Sequence, residues 1–213
     1  PDWMRGVPPG FAPEEIADLG QLDAYLMTHE HLDHADPTAL EIFKAHPEVP
    51  MYGPASAIAV AREIGIDEER LQTLDHGDQI TIGDLTVTAV AVNDPTAIGC
   101  NGYVVQHGET TVLLSGDSHY FDGFAALGDN WAFDAVAVTV GVNPPGQTMY
   151  MGESDAGRIA RDTRTRKLLL QHHDLWRAVA IDPARVGTLV SWYAPDAAFE
   201  AVVFGERLDV THS

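Results

Sequence analysis

"YLMTHEHLDHADP", residues 25–37, is the stretch on which the reading of this chain turns. The apolar run "DAYLM" (23–27) reads as a short buried strand. Directly behind it come His29, Glu30, His31, Asp33, His34 and Asp36. Read as a helical zinc motif, His-Glu-x-x-His, the stretch fails, because the position that needs the second histidine holds Asp33. The spacing His-x-His-x-Asp-His works in another way. Along an extended loop, residues two apart point to the same side, so His29 and His31 can grip one cation. Asp33 and His34 then turn toward a second. Imidazole combined with carboxylate suits Zn²⁺, Mn²⁺ or Fe. Glu30 sits between ligands and points away from them. The bland alternative is a polar surface loop with incidental histidines.

Working outward, other ligand-type residues also follow the ends of expected strands. Asp94 follows "TVTAVAV", and Asp117 and His119 follow "TVLLS". His172, His173 and Asp174 follow "KLLLQ". Strand ends in layered sheets carry sites, because the sheet is rigid while the loops converge. "DQITIGDLTVTAV" (78–90) alternates apolar and polar residues about Gly83-Asp84 and predicts a hairpin. "GYVVQHGETTVLLSGD" (102–117) predicts a second, turning at His107-Gly108. Helices are expected near 13–19 and over 37–46, 54–65, 121–128, 153–164 and 182–193. Further strands are expected at 50–53, 134–141, 167–171 and 199–204. Mixed strands and helices with central hairpins imply α/β layers around a mixed sheet.

Composition narrows the class of function. The length of 213 residues and the 45 % hydrophobic content fit one core-forming domain spanning 1–213. No apolar run approaches a membrane span, and no secretory leader pattern is visible. The lone Cys100 excludes an internal disulfide framework and a thiolate zinc cluster, which fits a reducing cytoplasm. The net charge of -20, with lysine only at 44 and 167, opposes nucleic acid and anionic membrane. Such a shell is found in proteins adapted to high salt, and a GC-rich genome produces a similar depletion of lysine.

At the level of families, "THEHLDH" resembles the signature of the metallo-β-lactamase superfamily, and "LLSGDSHY" (113–120) that fold's bridging-aspartate motif. Together with "GVNPPG" (141–146) and "QHHDLW" (171–176), they are similar to the L-ascorbate-6-phosphate lactonase family, a bacterial branch. The resemblance runs from about Asp23 to Val186. It implies an αββα sandwich, with N-terminal strands of the fold missing from this chain, which is then N-terminally incomplete. It implies His29 and His31 on a first metal, Asp33 and His34 on a second, Asp117 bridging, and His172 as the distal ligand. His173, Asp174, His119 and Asn143 would contact substrate or support the ligands. In the loop where superfamily members usually place a further histidine, Asp94 is the one strong ligand type. Two departures concern the substrate. Asn143-Pro144-Pro145-Gly146 stands where the lactonase branch has Asn-Pro-Arg-Gly, and the insertion after Asp94 is reduced to "AIGCNG". A lost arginine is a lost phosphate clamp.

These readings lead to a metal-dependent hydrolase that uses one or two divalent ions, Zn or Mn. It would open a small lactone or ester by attack of a metal-activated hydroxide that Asp33 positions. A phosphodiesterase of the same superfamily is the nearest alternative, and a non-catalytic module that keeps a metal site is the rival from another class. The expected partner is a small-molecule substrate, with neither nucleic acid nor membrane, and self-association is left open.

Overall fold

The computed structural model describes residues 22–143, 146, 150–175, 180–203 and 206–210. The helix expected near 13–19 lies outside the described residues. Two sheets face each other. In the first, β1 (Tyr25–Leu26), β2 (Met51–Gly53) and β3 (Leu71–Thr73) lie in that order and all run parallel. Parallel neighbours need crossovers. Helix α1 (Pro37–Lys44) joins β1 to β2, and α2 (Ala55–Ile64) joins β2 to β3.

The second sheet holds seven strands in the order β10-β9-β8-β7-β6-β5-β4. Its antiparallel half is β4 (Gln79–Ile82), β5 (Leu85–Ala91), β6 (Asn101–His107) and β7 (Thr110–Leu114). Its parallel half continues through β8 (Ala135–Thr139), β9 (Lys167–Gln171) and β10 (Ala198–Ala201). Helices α3 (Gly123–Asn130), α4 (Glu153–Thr163) and α5 (Pro183–Tyr193) supply the crossovers.

Three apolar clusters stack the layers. Leu40, Phe43, Ile58 and Ala61 of α1 and α2 pack with Met27 and Met51 on the first sheet. Leu26 and Tyr52 of that sheet meet Val87, Ala89 and Tyr103 of the second. On the far face, Val104, Leu113, Val136 and Leu168 pack under Phe124, Ile159, Val186 and Val190 of α3 to α5. Helix, sheet, sheet, helix is the expected αββα sandwich.

Local chemistry sets the element ends. Asp36 caps α1, its carboxylate accepting from the N–H groups of Thr38 at 3.0 Å and Ala39 at 3.3 Å, with Pro37 at the first helical position. Asp36 is therefore spent as a cap. Helix α2 stops at Gly65, whose φ of 93° needs the missing Cβ. The first hairpin turns at Gly83-Asp84 as its alternation predicts. The second turns one residue later than predicted, at Gly108-Glu109, because β6 extends through His107. His107 Nε2 lies 2.7 Å from Asp84 Oδ2, tying the two hairpin tips together. The three-residue β3 carries no period of its own and is recruited by β2 and the inter-sheet core. Among the described residues no helix is long and apolar enough to cross a membrane.

Candidate metal centre

The loop after β1 is fastened to the second sheet before it presents any side chain. Tyr103 Oη donates to Met27 O at 2.6 Å, Asn101 N to Thr28 O at 2.8 Å, and His29 and Cys100 form an isolated antiparallel bridge. The backbone N–H groups of His34 and Ala35 both donate to His31 O, curling the chain so that Asp33 and His34 depart from the direction of His29 and His31.

Three groups of ligand atoms result, each with its members within 4.8 Å of one another: His29, His31 and Asp94; His29, His34 and Asp117; and Asp33, His34 and His172. His29 Nε2 and His31 Nδ1 face each other at 2.9 Å, and Asp94 Oδ2 lies 3.6 Å and 3.5 Å from them. The other oxygen of Asp94 is occupied, accepting from Thr96 N at 2.8 Å and Thr96 Oγ1 at 2.7 Å. That leaves Oδ2 for the imidazoles. In the third group, His172 Nε2 is 3.2 Å and His34 Nε2 3.8 Å from Asp33 Oδ2. Asp117 stands between, with Oδ2 3.4 Å from His34 Nε2. His29 thus lies beside His31, and Asp33 beside His34. Asp94 joins the first pair and His172 the second.

The donor set fits divalent cations. His34 Nε2 and Asp117 Oδ1, on two side chains that face each other across the site, are buried without a hydrogen-bond partner among the described residues. Orphaned buried polar atoms are costly in a folded protein and mark a missing ligand when they converge. The imidazole and carboxylate mixture, with no thiolate, suits an open rather than a closed site.

Electrostatics follow the geometry. Burial dominates at His29 and, with the neighbouring histidines, lowers its pKa from 6.5 to about 4, so it stays neutral with a lone pair available. At His34 burial also opposes the charge, but the Asp117 carboxylate, with Asp33 and Asp94, outweighs it and raises the pKa. Burial would raise Asp117, yet His34, His172 and His29 hold it far below the usual carboxylate range. Asp33 is likewise held low against its burial, chiefly by His172 and His34.

These shifts predict a pH optimum for the metal-free fold. Between about pH 4 and 6.5 the unfolded chain carries a proton on His29 that the folded chain does not, so acidification removes stability, by about 3 kcal/mol at most. The contribution of His34 is full below 6.5 and is lost as the pH rises through its raised folded value. Urea melts of chelated protein should show the highest midpoint near pH 6.5. A midpoint that climbs steadily into the alkaline range would contradict this account of the two histidines.

The remaining candidates occupy the rim and the supports. His119 ties its backbone N–H to Asn93 O at 2.7 Å, and its Nε2 is buried without a partner among the described residues. His173 accepts from Ile181 N through its carbonyl, and Asp174 is exposed. Asn143 hydrogen-bonds both the N–H and the carbonyl of Tyr150, at 2.8 Å and 2.7 Å. Pro144 and Pro145 lie outside the described residues. Glu30 points away from the ligands, as expected, but it has a task, accepting from Ile98 N and so holding the loop that carries Asp94.

Two residues to which sequence reading gave no role belong to the site. Thr28 Oγ1 lies 3.0 Å from His29 Nδ1 and 3.3 Å from His34 Nδ1. Its place at the head of "THEHLDH" was the available signal. Tyr150 packs its ring 5.8 Å from that of His172. His172 itself has φ 61°, an uncommon conformation for a side-chain-bearing residue and one that concentrates at functional sites.

Comparison with known proteins places the chain. A family model described as the beta-lactamase superfamily domain matches residues 1–173. A probable L-ascorbate-6-phosphate lactonase from Escherichia fergusonii is 28 % identical over 192 residues, covering 80 % of this chain and 54 % of that protein. The chain therefore spans about half the length of the curated relatives it matches. Among solved structures, Igni18, a metallo hydrolase from Ignicoccus hospitalis, superposes with a TM-score of 0.78 at 16 % identity, covering 96 % of this chain and 86 % of that one. The isothiocyanate hydrolase from Delia radicum gut bacteria gives 0.72 at 18 % identity, covering 90 % and 77 %. At such identities the structures speak for the fold alone. The family match covers most of the chain and includes every ligand-type residue of the three groups, and with it the chain belongs to the β-lactamase superfamily, in its metallo-β-lactamase fold.

Proposed function

We propose that the chain is a metal-dependent hydrolase that opens a small lactone or carboxylic ester. The carrying observation is the pair of His and Asp groups flanking Asp117 on converging strand-end loops. Divalent cations at such a centre, zinc or manganese by donor type, would supply Lewis acidity and an acidified water. His29, His31 and Asp94 would hold one ion, Asp33, His34 and His172 the other, and Asp117 would join them. Asp33, kept ionised, accepts a hydrogen bond from the attacking water and passes its proton on. The water oxygen bonds to the carbonyl carbon, the acyl C–O bond breaks, and the leaving alkoxide takes a proton.

A small, uncharged substrate fits the rim better than a phosphorylated one. Leu32, Ile98 and Val142, on three of the loops that build the site, are 74 %, 88 % and 46 % exposed. Among the described residues, the ion-pair partners of Asp94 and Asp117 are all histidines. The printed substrate of the lactonase relatives carries a phosphate, and the arginine expected for it is replaced by Pro145. The charge of -20 argues against a nucleic-acid substrate.

Metal analysis combined with a panel of lactones, carboxylic esters and phosphodiesters tests the reading. Metal-dependent turnover of lactones or esters is the expected result. Turnover of phosphodiesters alone would replace it with phosphodiesterase activity. Tightly held metal with no turnover would make the chain a non-catalytic metal module.

A further inference from the structure

We infer that Ser118 is a positioning residue of the metal centre: its buried hydroxyl, together with the His119 backbone, fixes the loop that bears Asp94 to the turn that bears Asp117. This rests on the metal-centre reading above and concerns a residue outside the three ligand groups.

The sheet alone does not set the distance between those two carboxylates. Asp94 follows β5, Asp117 follows β7, and β6 lies between the two strands. Two strand spacings, about 10 Å, separate them. The loops therefore have to converge over the start of β6. Gly102 makes room for this. A Cβ there would meet Val92 Cγ1 at 2.7 Å and Leu114 O at 3.2 Å, so Val92, two residues before Asp94, lies over bare backbone of β6.

A clamp around Asn93 closes the convergence. Asn93 N donates to Ser118 Oγ at 3.0 Å, and Asn93 O accepts from His119 N at 2.7 Å. Ser118 Oγ donates in turn to His119 O at 2.8 Å, so the hydroxyl both accepts and donates. Ser118 is 4 % exposed, whereas Asn93 is exposed and is gripped through its backbone. Asn93 directly precedes Asp94 and Ser118 directly follows Asp117, so the clamp joins the immediate neighbours of the two carboxylates. The rest of the Asp94 loop is held from the other side, Ile98 N by Glu30 and Gly99 O by Ser56 Oγ at 3.2 Å. Ser115 shows what a serine confined to the turn looks like. It is fully buried, and its Oγ donates to Gly116 O at 2.7 Å without leaving its own segment.

Competition for Zn²⁺ with a chromophoric chelator tests the assignment. Ser118→Ala removes the hydroxyl and leaves every ligand-type side chain in place. It should weaken one metal equivalent about tenfold, the low end for loss of a support behind a ligand. In an Asp94→Asn background the same change should alter zinc affinity by less than about twofold, because a residue that acts through Asp94 then has nothing left to orient. Ser115→Ala, the matched buried serine, should bind zinc as the wild type does. Wild-type affinity in Ser118→Ala would overturn the assignment. So would an undiminished loss in the Asp94→Asn background, or an equal loss in Ser115→Ala, either of which shows a general loosening of the turn. If Ser118→Ala does not fold, Gly102→Ala passes through the same cycle, since it drives a methyl under Val92 with Ser118 intact. A wild type that binds a single equivalent would remove the two-ion reading, and the cycle run on that one ion still decides on Ser118. A wild type that binds no divalent ion would overturn both.

Discussion

Asp117→Asn is expected to lower the hydrolysis rate about a thousandfold, to weaken the second metal equivalent, and to leave the fold intact. The half-buried carboxylate shares a group with His29 and His34, the two histidines that link it to the other two groups. Its Oδ2 already faces His34 Nε2 at 3.4 Å, while Oδ1 is buried with no hydrogen-bond partner among the described residues. Both oxygens are thus available as ligands. Asparagine keeps the volume but removes the charge, and its amide would point N–H at a site that needs an acceptor. The fold should survive because the strand before Asp117 is anchored independently, Ser115 N donating to Ala137 O at 3.1 Å. Glu30→Gln is the companion variant. The amide oxygen can still accept from Ile98 N, so the loop bearing Asp94 stays in place and the rate should change little. Glu30→Ala removes that acceptor and should cost more than Glu30→Gln. Hydrolysis rate and metal stoichiometry measured side by side decide the matter. Full activity and full metal occupancy in Asp117→Asn would mean that the carboxylate between the groups joins nothing.

What could be read in advance depended on how local the information was. Period-two alternation about Gly83-Asp84 gave β4 and β5 their pairing, because a hairpin's register is set by its own turn. The His-x-His-x-Asp-His spacing separated two ligand pairs for the same reason, a local chain direction that folding preserved. Asp94 stood out only by elimination in its loop. Its alignment depends on Thr96, which takes one carboxylate oxygen, and on His31 Nε2, 3.3 Å from Thr96 O. Strand β3 was invisible because three residues carry no pattern, and its pairing with β2 spans an intervening helix. Tyr150 was equally hidden. A tyrosine is usually core, and this one comes against His172 only because Gly141 and Asn143, in its own connection after β8, hold it beside the loop that follows β9. Asn143 itself was legible as a residue of interest, while its grip on a backbone seven positions away was not.

Thr28→Val should weaken divalent-metal binding about 10- to 100-fold, the usual range when a support behind a ligand is lost. For the Nε2 atoms of His29 and His34 to offer lone pairs, each ring must carry its proton on Nδ1. Both Nδ1 atoms face a single oxygen, Thr28 Oγ1, at 3.0 Å and 3.3 Å. One hydroxyl with two lone pairs can accept from both, fixing two tautomers and two ring orientations at once. The oxygen is itself held in place, since a Cβ on Gly116 would meet Thr28 Cβ at 2.9 Å and φ there is 60°. Gly116, next to Asp117, is therefore what lets the Asp117 turn close on the Thr28 side chain. Valine keeps the branched shape and removes the acceptor, leaving two N–H groups unsatisfied and each ring free to present the wrong nitrogen. The metal-free fold should lose about 1–3 kcal/mol for each N–H that finds no other partner. Thr28→Ser should recover most of the metal affinity, because it restores the oxygen without the methyl. Competition with a chromophoric chelator reads the affinities, and urea melts of chelated protein read the stability. If Thr28→Val binds both equivalents as tightly as the wild type, the rings are oriented by their packing alone. A loss in Thr28→Ser as large as in Thr28→Val would point to the methyl's packing against Gly116, not to the shared hydroxyl.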